Sequence, residues 1–185
     1  MRTPPDDRFI VETRSWVEQV VIGLKLCPFA PAPALKGLIR YVTSDVETPE
    51  ALLEDLTIEL QRLVAASPEE IETTLLIHPK VLGDFRDFND FLEVADELLR
   101  VLRLEGEIQI ASFHPDYQFA ETESDDIGNA TNRAPFPTLH LLREQSIAQA
   151  VDSFGDTRSI TTTNLLTLEK LGWEGLRALR GGDPE

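Results

Sequence analysis

Apolar residues recur at helical spacing in five segments of the chain, with polar residues on the opposite face. The predicted helices cover about residues 10–28, 48–66, 85–102, 146–154 and 159–179. Thr48 followed by Pro49 is typical of an N-cap with proline at the first helical position, and Pro28 ends the first helical pattern. Gly172 is expected to kink or stop the last helix.

Four short segments rich in β-branched, aromatic or other apolar residues predict strands at residues 38–43, 73–78, 108–113 and 138–142. In the middle of the chain strands and helices alternate, which is typical of crossover connections and of consecutive strands pairing in parallel. No linker or repeat divides the chain. The sequence therefore predicts one α/β domain over residues 1–185, with a mixed, mostly parallel sheet of about four strands flanked by helices. Residues 1–7 and 181–185 are expected to be flexible tails.

The chain is strongly acidic, with 17 Lys and Arg against 33 Asp and Glu in 185 residues and a formal net charge of −16. Residues 44–126 hold 22 of the acidic residues and five of the basic ones. Much of this charge lies on the outward face of the third helix, where its simplest role is solubility. Binding to nucleic acid or to an anionic membrane needs clustered Lys and Arg. The composition therefore argues against both partners without naming another.

Cys27 is the only cysteine, so no disulfide can form within the chain. The N-terminus has no apolar stretch after its charges, so we expect a cytoplasmic protein without a signal peptide or membrane span. At the end of the first predicted helix, Cys27 faces the negative end of the helix dipole, which disfavours the thiolate. Cys27 is a candidate nucleophile only if His78 or His114 lies within hydrogen-bond reach, and is otherwise structural.

Two predicted strands end in the same way, with His78 and His114 each followed by proline. Ligands of open α/β sheets bind beyond the carboxyl ends of the strands, so both imidazoles are expected at one edge of the sheet. Asp116 could orient His114 or bind a metal, and Tyr117 could donate to an oxyanion. The alternative is that the histidines are half-buried structural groups and that Asp116 caps a turn.

The polar segment 121–132 contains Asn129 and Asn132 and leads directly into Arg133. A loop of this length in a compact domain is usually functional or disordered. A guanidinium binds a carboxylate or phosphate with two parallel hydrogen bonds, so Arg133, with the two asparagines, is a candidate substrate-binding group. The alternative for Arg133 is a surface ion pair with a nearby acid.

Three histidines with nearby acids and one cysteine could form a transition-metal site, but their spacing matches no known zinc signature. His140 is expected on the sheet face opposite Leu139 and Leu141, as a core or sheet-face residue. The sequence has no glycine-rich phosphate loop, no Cys-x-x-Cys pair and no Gly-x-Ser-x-Gly turn. No cofactor follows from these residues.

Four motifs carry a family resemblance. They are Leu26-Cys-Pro-Phe-Ala30, Phe113-His-Pro-Asp-Tyr-Gln-Phe119, Asn132-Arg-Ala-Pro-Phe-Pro-Thr-Leu-His-Leu-Leu-Arg143 and Thr167-Leu-Glu-Lys-Leu-Gly172. Through them residues 17–179 resemble an uncharacterised family of bacterial and plant proteins, domain of unknown function 1415. The resemblance implies one shared pocket and no reaction, although some plant members carry a peptidase label. Lys25 and Phe136 stand where the family pattern has a polar amide and a tyrosine, so no role is implied for them.

The leading functional hypothesis is a hydrolase or transferase acting on a small anionic substrate. His114 would be its acid/base group, Asp116 or Tyr117 the assistant and Arg133 the substrate anchor, with His78 beside them. The alternatives are a non-catalytic binding or adaptor module, and a metal-binding protein that uses the histidines. A deep polar cavity at the histidines favours an enzyme, whereas a filled core there favours a binding module. The oligomeric state stays open.

Overall fold

Four strands form one mixed sheet in the order β1-β2-β4-β3. The strands are β1 (Ile39–Thr43), β2 (Thr73–Ile77), β3 (Ile108–Phe113) and β4 (Thr138–Arg143). β1 pairs with β2 in parallel, and β4 lies antiparallel between β2 and β3. Three of the four strands therefore run in one direction, which confirms the predicted mixed α/β sheet.

The expected parallel pairing of consecutive strands is wrong for β2 and β3, because β4 lies between them. Residues 114–137, which connect β3 to β4, contain only a short 3-10 helix, Ile127–Asn132. A parallel return needs a crossover that carries the chain back to the opposite edge of the sheet. This connection stays at the edge where β3 ends, so β4 runs back antiparallel beside it.

The computed structural model describes residues 7–155 and 157–179. Its helices are α1 (Asp7–Trp16), α2 (Pro31–Leu35), α3 (Pro49–Ala65), α4 (Phe85–Val101), α5 (Glu144–Phe154) and α6 (Arg158–Leu179). The predicted flexible tails lie outside the described residues, apart from Asp7, which begins α1. Among the described residues no helix is both long enough and apolar enough to cross a membrane.

The helix starts that the sequence predicts for α3 and α4 are capped by side chains. The Thr48 hydroxyl accepts a hydrogen bond from the amide of Ala51, at 3.3 Å, and Pro49 begins α3. The Asp84 carboxylate accepts from the amides of Arg86 and Asp87 at the start of α4. Such caps satisfy amides that have no partner within a helix, so the first turns of α3 and α4 are locally specified.

The first helix, α1, ends earlier than the apolar pattern of the sequence predicts. A π-helical segment, Val17–Ile22, follows α1 and ends at Gly23. A Cβ at Gly23 would collide with the carbonyl oxygen of Gln19, so glycine fits this end where larger residues do not. Cys27 consequently lies in the turn beyond the helix, and its expected place at a helix C-terminus is wrong.

Each face of the sheet carries its own core. Leu76, Ile108, Leu139 and Leu141 pack against α3 and α4, on what we call the α3/α4 face. Leu75, Tyr41 and Phe113 pack with α1, the π-helical segment and α6 on the other side, the α1/α6 face. Because side chains alternate along a strand, His78 and His114 fall on the α3/α4 face. His140 falls on the α1/α6 face, opposite Leu139 and Leu141 as predicted.

Candidate functional site

His78 and His114 lie at the same edge of the sheet, on either side of the start of β4. The backbone N–H of His78 donates to the carbonyl of Pro137 at 3.0 Å, and that of His114 donates to the carbonyl of Asn132 at 3.1 Å. Both side chains are fully buried, with Phe88 packed against both rings at centroid distances of 5.6 and 5.1 Å. The core around the two imidazoles is therefore filled.

Both ring nitrogens of His114 are bound to backbone groups. Nε2 lies 3.2 Å from the carbonyl oxygen of Leu82, and Nδ1 lies 3.0 Å from the amide nitrogen of Asp116. Because a carbonyl only accepts, Nε2 carries the proton, and the Nδ1 lone pair accepts from Asp116. Burial lowers the pKa of His114, although the nearby Asp116 and Asp84 carboxylates oppose the shift. This arrangement makes His114 a neutral structural group and does not support proton transfer to a substrate.

His78 forms a hydrogen bond with Val81, the residue before Leu82 in the loop between β2 and α4. Its Nδ1 donates to the carbonyl of Val81 at 3.0 Å, while Nε2 is buried with no hydrogen-bond partner among the described residues. Burial lowers the pKa of His78 to about 4. The two imidazoles thus bind consecutive carbonyls, of Val81 and Leu82, and Leu82 has the left-handed φ of 58° that is uncommon for leucine. Together they fix the loop that leads from β2 into α4.

The loop after β3 is organised by a buried amide. The Asn129 side chain accepts hydrogen bonds from the amide of Phe119 and the hydroxyl of Thr122, both at 3.0 Å. It also donates to the carbonyl of Glu123 at 2.8 Å. An amide that satisfies three groups of one loop replaces the sheet or helix bonds that the segment lacks. Asn129 is therefore structural and does not face a ligand.

Asn132 covers the free edge of β3. Its side-chain amide donates to the carbonyl of Ser112 at 3.2 Å, and its own carbonyl accepts from the amide of His114. The edge of a sheet otherwise presents unpaired backbone groups. Asn132 supplies the missing donor and acceptor at the end of β3, so its polar groups are used within the fold.

Arg133 ties the same loop to the C-terminal helix. Its Nε donates to the carbonyl of Tyr117 at 3.0 Å, and Nη2 donates to the carbonyl of Ser124 at 2.7 Å. The guanidinium lies over the ring of Trp173, 5.0 Å from its centroid, and the Trp173 indole N–H donates to the carbonyl of Asp125. Trp173 reaches this position because Gly172, with φ 68° and ψ 174°, interrupts α6 just before it.

Replacing Gly172 with alanine is expected to lower the free energy of unfolding by about 2 kcal/mol, because this φ and ψ combination is accessible almost only to glycine. Denaturant unfolding measures the loss, and the indole N–H resonance of Trp173 reports whether the ring leaves Arg133. Gly83→Ala is the control, since Gly83 has no atom near its Cβ position and no positive φ. Equal stabilities for the two variants would contradict the role of Gly172.

A groove of about 530 Å³ lies in front of the histidines, and we call it the α4 groove. One wall is formed by Gly83, Asp84 and the first residues of α4, and the other by the loop after β3. The lining residues are Gly83, Asp84, Phe85, Arg86, Asp116, Gln118, Ser124 and Arg133. Of the predicted site residues, Asp116 and Arg133 line it together.

The other predicted residues do not line the α4 groove. His78 and His114 lie behind it, and the Tyr117 ring packs against Phe85 at a centroid distance of 5.2 Å. Leu26, next to Cys27, is buried on the α1/α6 face, and Asn164 donates to its carbonyl at 2.8 Å. Neither imidazole has a ring nitrogen bonded to Cys27, so the condition for a cysteine nucleophile is not met.

The sequence interpretation missed the α4 wall of the groove. The sequence predicts this segment only as an amphipathic helix with an acidic outward face, and Arg86 is not among its candidate residues. A usable signal exists, because α4 begins at Phe85, seven residues after His78, and His78 directly follows β2. A helix that starts at the carboxyl edge of a sheet places its first turn beside any ligand bound there. Arg86, in that first turn, is the residue this reasoning identifies.

A second cavity, of about 240 Å³, lies beside the start of β1 and is a weaker candidate for binding an anion. Its arginine, Arg40, is bound by the buried Glu59 carboxylate through two hydrogen bonds of 2.6 and 3.0 Å. This ion pair neutralises the guanidinium and occupies its fork.

No three His, Cys, Asp or Glu side chains within the described ranges are grouped closely enough to hold a metal ion.

The motif resemblance can be tested against known proteins. The family described as Protein of unknown function (DUF1415) matches residues 8–178. The chain belongs to this family. Over 88 aligned residues, this DUF1415 protein is also 33% identical to 2,3-bisphosphoglycerate-independent phosphoglycerate mutase 1 of Archaeoglobus fulgidus. The match covers 43% of the DUF1415 chain and 22% of the archaeal enzyme, so the chain spans about one fifth of that relative. No solved structure matches the DUF1415 chain.

Proposed function

We propose that this protein binds a small molecule with a phosphate or carboxylate group in the α4 groove. The observation that carries the proposal is that Arg86 and Arg133 both line this groove, one from each wall. Residues 44–126 contain only five basic residues, of which Arg86 is one, and Arg133 brings a second cation to a groove that also holds the Asp84 and Asp116 carboxylates. Guanidinium groups bind carboxylates and phosphates with directed, charge-assisted hydrogen bonds. The anion would bind to the Arg86 guanidinium, and Arg133, whose Nε and Nη2 donate to the carbonyls of Tyr117 and Ser124, would contribute its positive charge from the other wall.

The remaining groove residues narrow the class of ligand. The Asp84 carboxylate already accepts from the first amides of α4, so the arginine side chains, rather than the helix terminus, are the anion-binding groups. Asp116, Gln118 and Ser124 add hydrogen-bond acceptors and donors along the groove. This combination suits a phosphorylated or carboxylated molecule that also bears hydroxyl groups. The partial similarity to a phosphoglycerate mutase supports the same class, since phosphoglycerate is such a molecule.

Hydrolase or transferase chemistry on that ligand is the second candidate function. It is favoured by the Asp116 carboxylate, which lines the groove together with Arg133. A carboxylate there could accept the proton of an attacking hydroxyl or water, the role that the sequence suggests for His114. The filled core at the histidines favours a binding module over a histidine-dependent enzyme.

A single cysteine fits a cytoplasmic location, which we propose for the protein.

Replacing Arg86 with alanine is expected to weaken binding of 3-phosphoglycerate about tenfold, because one charge-assisted hydrogen bond is worth about 1.5 kcal/mol or more. Isothermal titration calorimetry measures the affinity. The matched control is Arg100→Ala in the last turn of the same helix, where Arg100 is exposed and pairs with Glu97. It changes the net charge equally but lies far from the groove.

The control should bind 3-phosphoglycerate like the wild type. If the wild type binds neither 3-phosphoglycerate nor sulfate, or if both arginine variants lose affinity equally, the proposed site is wrong. Asp116→Asn separates binding from chemistry: it should retain the ligand, and an unchanged turnover of a phosphate ester by this variant would refute the second candidate.

A further inference from the structure

His114 connects the two walls of the α4 groove from behind. Its Nε2–H donates to the carbonyl of Leu82, immediately before the Gly83–Arg86 wall. Its Nδ1 accepts from the amide of Asp116 in the opposite wall. Its own carbonyl accepts from the amide of Tyr117, whose carbonyl in turn binds Arg133. The His114 imidazole therefore sets the distance between the segment that contains Arg86 and the loop that contains Asp116 and is bound by Arg133.

This connection requires the neutral imidazole. A neutral ring offers one donor and one acceptor at the same time, which is what the Leu82 carbonyl and the Asp116 amide need. A protonated ring has N–H groups at both nitrogens, so the Nδ1–H would point at the N–H of Asp116. Two donors cannot bond each other, and the Asp116 amide would have to turn away. The wall that contains Asp116 and Gln118 would move with it.

We propose that His114 is a positioning residue for the α4 groove, and that protonation of its imidazole separates the two walls and weakens anion binding. The effect on affinity rests on the function proposed above, whereas the connection between the walls stands on the hydrogen bonds alone. The charged and titratable groups that face His114 are Asp116 on its own loop, Asp84 at the cap of α4 and His78 at the end of β2. The two carboxylates favour the protonated ring and burial disfavours it.

The sign of the pH effect separates this inference from simple electrostatics. A positive charge on His114 behind the groove would attract an anion and tighten binding as the pH falls. Separation of the walls has the opposite effect, because it moves Arg133 away from the anion bound to Arg86. We therefore expect binding to weaken on protonation, by about fivefold for a connection worth about 1 kcal/mol.

Sulfate is the probe, because its charge is constant across the range in which histidine titrates. Its affinity is measured at pH values on both sides of the His114 midpoint, located from the ring carbon resonances of His114. Circular dichroism at each pH confirms that the chain stays folded. The wild type should bind sulfate more weakly below the midpoint. His114→Gln, which offers a donor and an acceptor and does not titrate, should show no such change.

Two further readouts keep the outcomes distinct. The amide of Asp116 should lose its protection from hydrogen exchange with the same midpoint as His114 in the wild type, whether or not sulfate binds. His140→Gln removes a histidine on the other face and should leave both effects unchanged. An Asp116 amide that does not follow His114, or sulfate that binds more tightly to the protonated form, overturns the inference. Absence of sulfate binding with a responsive Asp116 amide refutes the proposed function and leaves the connection in place.

Discussion

Replacing Arg143 with leucine is expected to lower the free energy of unfolding by about 4 kcal/mol. The guanidinium at the end of β4 donates to the carbonyl of Leu63 at 2.7 Å, of Ala66 at 2.8 Å and of Ile71 at 3.0 Å. The first two carbonyls belong to the end of α3, where they have no partner within the helix. Leucine would leave all three without a donor, and each such loss costs about 1–3 kcal/mol.

Urea denaturation at neutral pH measures the effect. Arg143→Lys keeps the positive charge, but a single ammonium group cannot bind all three carbonyls as the guanidinium does. We therefore expect a loss of stability smaller than that of Arg143→Leu. Arg100→Ala is again the control, because an exposed arginine of this kind contributes less than about 1 kcal/mol. If Arg143→Leu were no less stable than Arg100→Ala, the proposed role of Arg143 would be wrong.

Acidification should remove about 3 kcal/mol of stability through His78 alone. Burial lowers the pKa of His78 from 6.5 to about 4 in the folded chain. Above pH 6.5 the ring is neutral in both the folded and unfolded states, and its full contribution is present. Between pH 6.5 and about 4 the unfolded chain takes up a proton that the folded chain does not, so stability falls as the pH falls. His140, with a pKa lowered to about 4 by burial, adds a loss of the same sign.

The test compares the wild type with His78→Asn in urea denaturation at several pH values from 7 to 4. Asparagine has an amide nitrogen near the position of Nδ1 and can still donate to the Val81 carbonyl, but it does not titrate. The variant should therefore lose less stability than the wild type across this range, while acidic side chains contribute equally to both. Parallel stability curves would show that His78 is not held neutral by the fold.

The elements of the fold were accessible from the sequence because their signals are local. The Thr48 cap and the apolar stripe of α4 involve residues within a few positions of each other. The position of β4 was not accessible, since it depends on the path of the 114–137 connection. That path is held by Asn129, Asn132 and Arg133, whose partners are backbone groups that no periodic pattern reveals. The short helix α2 and the 3-10 helix were missed because five or six residues are too few to show a helical period.

The candidate site was only partly accessible. The sequence predicts His78 and His114 at one edge of the sheet, because each follows a strand, and the structure places them at that edge and on the same face. Their hydrogen-bond partners depend on the left-handed turn at Leu82, and hydrophobic periodicity gives no indication of such a turn. Because the histidines bind the carbonyls of Val81 and Leu82, their role is to organise loops. The residues that line the groove in front of them are then the ones available to a ligand. Of these, Asp116 and Arg133 were identified from the sequence and Arg86 was not.

The central claim is that the α4 groove binds small anions, and it is tested most directly by the shifts of backbone amide and arginine side-chain N–H signals when the labelled protein is titrated with 3-phosphoglycerate. The claim predicts that the largest shifts fall on residues 83–86 and 116–118 and on the Nε–H of Arg133, and that Arg86→Ala reduces them. Shifts concentrated instead around the cavity at residues 37–41, or no saturable shifts at all, would contradict it.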